Sequence, residues 1–372
     1  MKKTIPVFLF LVFCFPVFSQ HAGEHYLVLG TFTNTTSDGI YLYKFNSETG
    51  DHSLVGVTVA SNPAFLVVSP DKKFVYAVNE NSPGTITAFR FEKNTGKLTE
   101  LNQQPSQGKH PCYITTDKTG RWVITGNSSS GTLAIYPVNK DGSLGKATDS
   151  IQHEGSSVNT ARQESAHVHA TVLSKSNKTL YVPDLGLDKV MIYKLDSKKG
   201  KLSPAPLPFV MTEPGAGPRH LDIHPNGKFA YLMEELSGSV SVYRVHKNES
   251  LVLIQNISGL PRDFNGDIGS ADIHVSPDGK FLYCSNRGGS NSLGIFSIDQ
   301  HSGELEWLDH QSTLGKTPRN FNFDPSGNFL LVANQNSDEI VIFKRNTITG
   351  MLSDTGKRIK VPKPVCIKWI TH

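Results

Sequence analysis

The sequence predicts an all-β fold: a seven-bladed β-propeller with four antiparallel strands per blade. Three observations carry this. A strand-like stretch ending in an aromatic residue recurs seven times, at Asp38, Gly84, Gly131, Asp188, Gly238, Asn291 and Asp338, with starts 46 to 57 residues apart. An apolar run preceded by a Pro, Asp, Asn or Gly turn recurs ahead of it, and no segment sustains a 3.6-residue period. Seven units of about 50 residues fit radial repetition, in which neighbouring sheets cover one another's faces and few strand edges stay open.

Taken in order, the chain opens with Lys2 and Lys3, then an apolar run from Pro6 to Val17, then Val17-Phe18-Ser19. That reads as a signal peptide over residues 1–19, cleaved near Gln20 and too short for a membrane span. Bulky Phe13 before Cys14 argues against lipid attachment there. The expectation is an exported chain, periplasmic or secreted, with no membrane contact beyond this signal. Residues 20–372 are then one propeller domain without a linker.

Tyr26-Leu-Val-Leu-Gly is the first copy of the second strand; later copies run from Phe74, Trp122, Thr179, Phe229, Phe281 and Phe329. The fifth unit is the clearest. Leu221 and Ile223 alternate with polar residues, and His224-Pro225-Asn226-Gly227 makes a turn, because Pro fixes φ and Asn-Gly accepts φ > 0. Phe229 to Met233 is the buried strand, and Ser237-Gly238 turns the chain into Val240 and Val242. The N-terminal unit lacks a first strand, whereas the C-terminal Lys363-Pro-Val-Cys-Ile-Lys-Trp-Ile matches the first-strand pattern of Asn62-Pro-Ala-Phe-Leu-Val-Val. The last strand is therefore expected to complete the first blade. One polar insertion, Ile151 to Gln163, precedes the fourth blade.

Without Lys2 and Lys3 the chain holds 35 basic and 33 acidic residues, with no basic stripe, which argues against nucleic acid as a partner. Cys112, Cys284 and Cys366 are an odd number spread over three units, so they read as buried thiols and not as a disulfide framework.

The repeats align against one another. Twelve residues before the centre of each second strand lie Ala64, Cys112, His169, Arg219, Ala271 and Arg319; four residues after it lie Glu80, Ser128, Leu185, Glu235, Arg287 and Gln335. The start of one antiparallel strand sits beside the end of its neighbour, so both columns share one rim of the central channel. Ala64 and Ala271 show that the scaffold needs only small residues there. His169, Arg219, Glu235, Arg287, Arg319 and Glu80 therefore point to a site for a small anionic ligand: Arg offers planar forks for phosphate or carboxylate, and Glu or His moves a proton. Mutual satisfaction of Arg and Glu in a polar channel is the plainer alternative. His220, Asp272 and Asn320 form a neighbouring column, read as support for the candidates. His167 and His169 share a strand face near Glu164, but a metal would need further ligands, so no metal and no cofactor is expected. His224 reads as a turn residue, and Asp184 with Asn79, Asn127, Asn286 and Asn334 as blade-closing polar groups.

His167-Val-His169, Val182-Pro-Asp-Leu-Gly-Leu-Asp188, Gly217-Pro-Arg-His220, Glu235-Leu236, Ser270-Ala-Asp-Ile-His274, Ser285-Asn-Arg-Gly288 and Pro318-Arg319 together resemble the lactonase family of seven-bladed propellers. That family includes bacterial 6-phosphogluconolactonases and fungal carboxymuconate cyclases, and the likeness covers essentially the whole mature chain. The resemblance implies a metal-independent site at the channel mouth, with His169, Glu235, Arg219 and Arg287 catalytic. Arg319, Glu80, His220 and Asp272 would then bind substrate. It implies hydrolysis of a sugar lactone: the arginines hold the anion and the oxyanion, Glu235 acts as base and His169 returns the proton, or the two exchange roles. The alternatives are muconate-type lactonisation, a non-catalytic glycan- or protein-binding propeller, and a metal-dependent lactonase. A monomer is expected.

Overall fold

The computed structural model describes residues 23–371, so the signal-peptide reading of residues 1–19 lies outside the described residues. Within them are seven four-stranded antiparallel sheets, each with its strands in sequential order except the first. The C-terminal strand Pro364–Ile370 pairs antiparallel with Glu24–Thr31, Leu29 opposite Ile367, and so completes the sheet begun at the other end of the chain. Two further strands, Gly39–Asn46 and His52–Val59, finish blade 1.

Second strands such as Phe229–Glu234, Phe281–Asn286 and Phe329–Asn334 are buried along their whole length. Each lies inside its sheet with a neighbouring blade against either face, which is why these stretches are nearly continuous apolar runs. Outer strands are instead mostly half-buried or exposed, as in His52–Val59 and Leu251–Ser258. Blades are locked to one another by tyrosines on these inner strands. Tyr231 Oη donates to Gly303 O (3.0 Å), and Tyr76 Oη to Gly142 O (3.2 Å), both in hairpins of the next blade. Those hairpin glycines have positive φ, and at Gly303 a Cβ would lie 2.2 Å from the Phe229 ring, so the position excludes any side chain.

Where the second strand ends in Asn, that Asn clamps the chain at the end of the preceding unit's fourth strand. Asn286 Nδ2 donates to Gly259 O (2.7 Å), Asn127 Nδ2 to Ser106 O (2.9 Å) and Asn334 Nδ2 to Thr313 O (2.9 Å). This is the closing role assigned to them above. His224 holds a turn, accepting from Asn226 N through Nδ1 and bonding Gly279 O of the next blade through Nε2. The insertion is one correction. Asp149–Gln152 is the fourth strand of blade 3, paired with Thr132–Pro137, so Ile151 and Gln152 belong to the sheet and the loop begins at His153.

Candidate active site at the channel mouth

In blades 3, 5, 6 and 7 the first column lies on β-bulges. In blade 5, Pro218 pairs with Glu234 and His220 with Met233, which leaves Arg219 as an extra, unpaired residue. Cys112 and Arg319 are the extra residues of the equivalent strands in blades 3 and 7. A bulge bends its strand and re-aims one side chain, here inward at the rim. His169 departs from the expected position: it precedes a first strand of only two residues, Val172–Leu173, and is held by its N–H on Pro183 O (3.0 Å). The second column sits one residue beyond each inner strand. There the backbone N–H of Glu80, Ser128, Leu185, Glu235, Arg287 and Gln335 each donates to the loop entering the first strand of its own blade, for Glu235 to Gly217 O (2.7 Å). The two columns are thus tied rim to rim.

Glu235 is the hub. Its Oε2 accepts from Arg219 Nε (2.8 Å), lies 3.0 Å from Arg287 Nη2 and 4.0 Å from His169 Nε2. Its Oε1 takes Arg162 Nη2 at 2.5 Å. Burial works to raise the Glu235 carboxyl, but Arg287 and Arg219 together with the Arg162 hydrogen bond overcome it and hold the group well below the usual carboxylate range. Burial pulls Arg287 down to about 9, with Glu235 opposing. Arg219 Nη1 donates to Ala271 O (2.6 Å), while Arg287 donates from Nε to Gly269 O (2.7 Å) and from Nη2 to Ser270 O (3.2 Å). Arg219 Nη2 and Arg287 Nη1 make no hydrogen bond to the described residues, so each keeps donors available.

His169 is buried, and burial followed by Arg219 drives it well below the ordinary imidazole value, so it is neutral near pH 7. Its Nδ1 lies 3.7 Å from Cys112 Sγ, whose thiol burial pushes up to about 12. Cys112 is thus a neutral thiol, and Cys284 and Cys366 are likewise free and buried. Across the channel, Arg319 Nη2 lies 3.8 Å from Glu80 Oε2. That oxygen is buried without a hydrogen-bond partner, and burial raises the Glu80 carboxyl.

Beneath the rim, Asp272 joins three blades. Its Oδ1 meets His220 Nδ1 (2.7 Å), its Oδ2 meets His274 Nε2 (3.0 Å) and accepts from Asn320 Nδ2, and Asn320 Oδ1 accepts from Ile367 N (2.7 Å). Burial, then Arg219, takes His220 down to about 4 despite Asp272. The His220 ring stands edge-on to His169, centroids 5.7 Å apart. His220 and Asp272 therefore sit against the site, as the neighbouring column suggested.

The structure brings all eight candidates to one channel. The sequence reading missed Arg162, which no repeat could align because it sits in the insertion. Both ring nitrogens of His167 are engaged, Nδ1 with Ser128 O (2.9 Å) and Nε2 with Glu164 Oε1 (3.3 Å). Among the described residues no group of three or more His, Cys, Asp or Glu is placed to hold a metal ion.

A family model described as "Lactonase, 7-bladed beta-propeller" matches residues 26–369. A protein of Formosa agariphila named 6-phosphogluconolactonase is 36% identical over 93% of this chain and 99% of its own. A Bacillus subtilis protein of the same name is 34% identical, over 92% and 97%. Among solved structures, the periplasmic gluconolactonase of Pseudomonas aeruginosa superposes with a TM-score of 0.89 at 36% identity, covering 93% of this chain and 99% of that one.

Proposed function

The chain belongs to the lactonase family of seven-bladed β-propellers, and from that premise we propose that it hydrolyses a sugar lactone of the 6-phosphogluconolactone type at the channel mouth. The observation that carries the reading is the convergence of a neutral, buried His169 with two arginines that keep unused donors around Glu235.

The electrostatics choose between the two role assignments. A carboxylate held by three guanidinium groups is a weak base, so Glu235 acts as the organiser that fixes Arg219 and Arg287 in place. His169 is the base. In the tautomer that carries its proton on Nδ1, toward Cys112 Sγ at 3.7 Å, Nε2 holds the lone pair. Water gives a proton to Nε2 as its oxygen bonds to the lactone carbonyl carbon. The developing oxyanion is met by the free donors of Arg219 and Arg287, which are fixed before the reaction begins. Collapse breaks the bond to the ring oxygen, and His169 returns the proton to that oxygen, giving the open hydroxy acid. Export to the periplasm is part of this proposal, supported by the leader-like residues 1–19 and by the periplasmic relative. The test is a panel of 6-phosphoglucono-δ-lactone, glucono-δ-lactone and a carboxymuconate with the purified protein. Turnover of a lactone is expected; conversion of the muconate alone would replace hydrolysis by lactonisation.

A further inference from the structure

The loop from His153 to the bridge at Val168 crosses the rim beside His169, and it is pinned along its length. His153 is buried with both ring nitrogens engaged, Nδ1 on Asp184 Oδ2 (2.7 Å) and Nε2 on Tyr193 Oη (2.8 Å). Ser157 Oγ donates to Asp188 Oδ2 (2.5 Å), and Gln163 Nε2 to Leu185 O (2.8 Å). From this fixed base Arg162 reaches Glu235 with one nitrogen, while its side chain is 52% exposed and its Nε and Nη1 make no bond to the described residues. Beside it lies a cavity of about 200 Å³ lined in part by Ser128, Arg162, His167 and His169.

We propose that this cavity is the subsite for an anionic exocyclic group of the substrate, phosphate or carboxylate, and that Arg162 sets the preference for substrates bearing one. The proposal rests on the lactonase reading and deepens it. The volume is below the roughly 300–1,000 Å³ of a complete ligand pocket, so the cavity takes one end of a molecule whose reacting end lies at His169. His169 lines both places, which fixes the direction in which a ligand would lie. The charge has the right sign. Arg162, Arg219 and Arg287 surround the single carboxylate of Glu235, and Glu164, the lining's own carboxylate, faces His167 at 3.3 Å. The unused N–H donors on Nε and Nη1 of Arg162 remain to hydrogen-bond oxygens of an anion, and its positive charge is permanent.

The experiment compares the wild type, Arg162→Gln and Arg162→Lys on 6-phosphoglucono-δ-lactone, a glucaric acid lactone and glucono-δ-lactone. Calorimetric binding of 6-phosphogluconate and gluconate provides a readout free of turnover. Arg162→Gln is expected to lower kcat/KM on an anionic lactone at least tenfold more than on glucono-δ-lactone, chiefly through KM, with partial recovery in Arg162→Lys. The anionic substrate with the larger loss identifies the group. A loss equal within twofold on all three lactones would reduce Arg162 to a prop for Glu235 and overturn the subsite. So would a wild type with no preference for anionic over plain lactone. If no lactone is opened, the lactonase reading fails by itself, and the calorimetric ratio still decides the subsite.

Discussion

Arg219 and Glu235 meet with Nε 2.8 Å from Oε2, their side chains only 2% and 6% exposed. A bulge supplies one and the residue beyond the adjacent strand supplies the other, so the two backbone irregularities of a single blade fix the pair. Two charges removed this far from water depend on each other, and losing the carboxylate would leave the arginines without the partner they share.

Glu235→Gln tests that dependence. The amide keeps the shape but removes the charge that positions three guanidinium groups. Lactone turnover is expected to fall ~10²-fold or more, and stability by about 3–5 kcal/mol as for other broken buried pairs. Steady-state kinetics with denaturant unfolding checks both. Full activity would remove Glu235 from the site.

The pH–rate profile tests the base. His169 has its folded value well below 6.5, so it stays unprotonated, and active, as pH falls past 6.5. Loss of kcat/KM on the acid side is therefore expected only well below pH 6.5, and His169→Gln should lower the rate ~10²–10⁴-fold and erase that limb. An acid limb centred near 6.5 would point to an exposed imidazole in its place. The same shift has a stability consequence. The unfolded chain binds a proton at this residue before the folded one does, so the His169 contribution is present above about 6.5 and is lost as pH falls toward the folded value.

Gly303→Ala tests blade-to-blade packing away from the mouth. Its φ of +82° and the 2.2 Å approach of a Cβ to Phe229 leave no unstrained place for a methyl group. Overpacking and the left-handed backbone together predict a loss of about 2–4 kcal/mol. Urea unfolding measures it, and kcat per folded molecule should be unchanged.

Glu80, Arg219, Arg287 and Arg319 could be read from the sequence because a repeated scaffold exposes any position where a charge stands in place of the Ala, Ser or Leu of other blades. What made Arg219 and Arg319 point inward could not. Each bulge falls at the second residue of its strand, too near the start for a phase slip to show in the alternation, and Cys112 has the same geometry without a charge. Arg162 was hidden for a different reason. It belongs to the one segment that is not repeated, and its position follows from His153, Ser157 and Gln163 anchoring the loop, contacts that no spacing encodes. The first strand of blade 4 was expected to start at His169, but the loop enters the blade through a single bridge at Val168 and the strand begins only at Val172. The proposal that His169 and not Glu235 is the base rests on the three arginines around one carboxylate, an arrangement that spacing along the chain does not show.

The pairing of Pro364–Ile370 with Glu24–Thr31 has a consequence for biosynthesis. A ribosome delivers the partners of that ladder some 340 residues apart. Until the final segment emerges, Glu24–Thr31 offers unpaired N–H and C=O groups on one flank, a template for strands of other nascent copies. The hazard of association is thus greatest late in synthesis, and it ends when the last seven-residue strand docks.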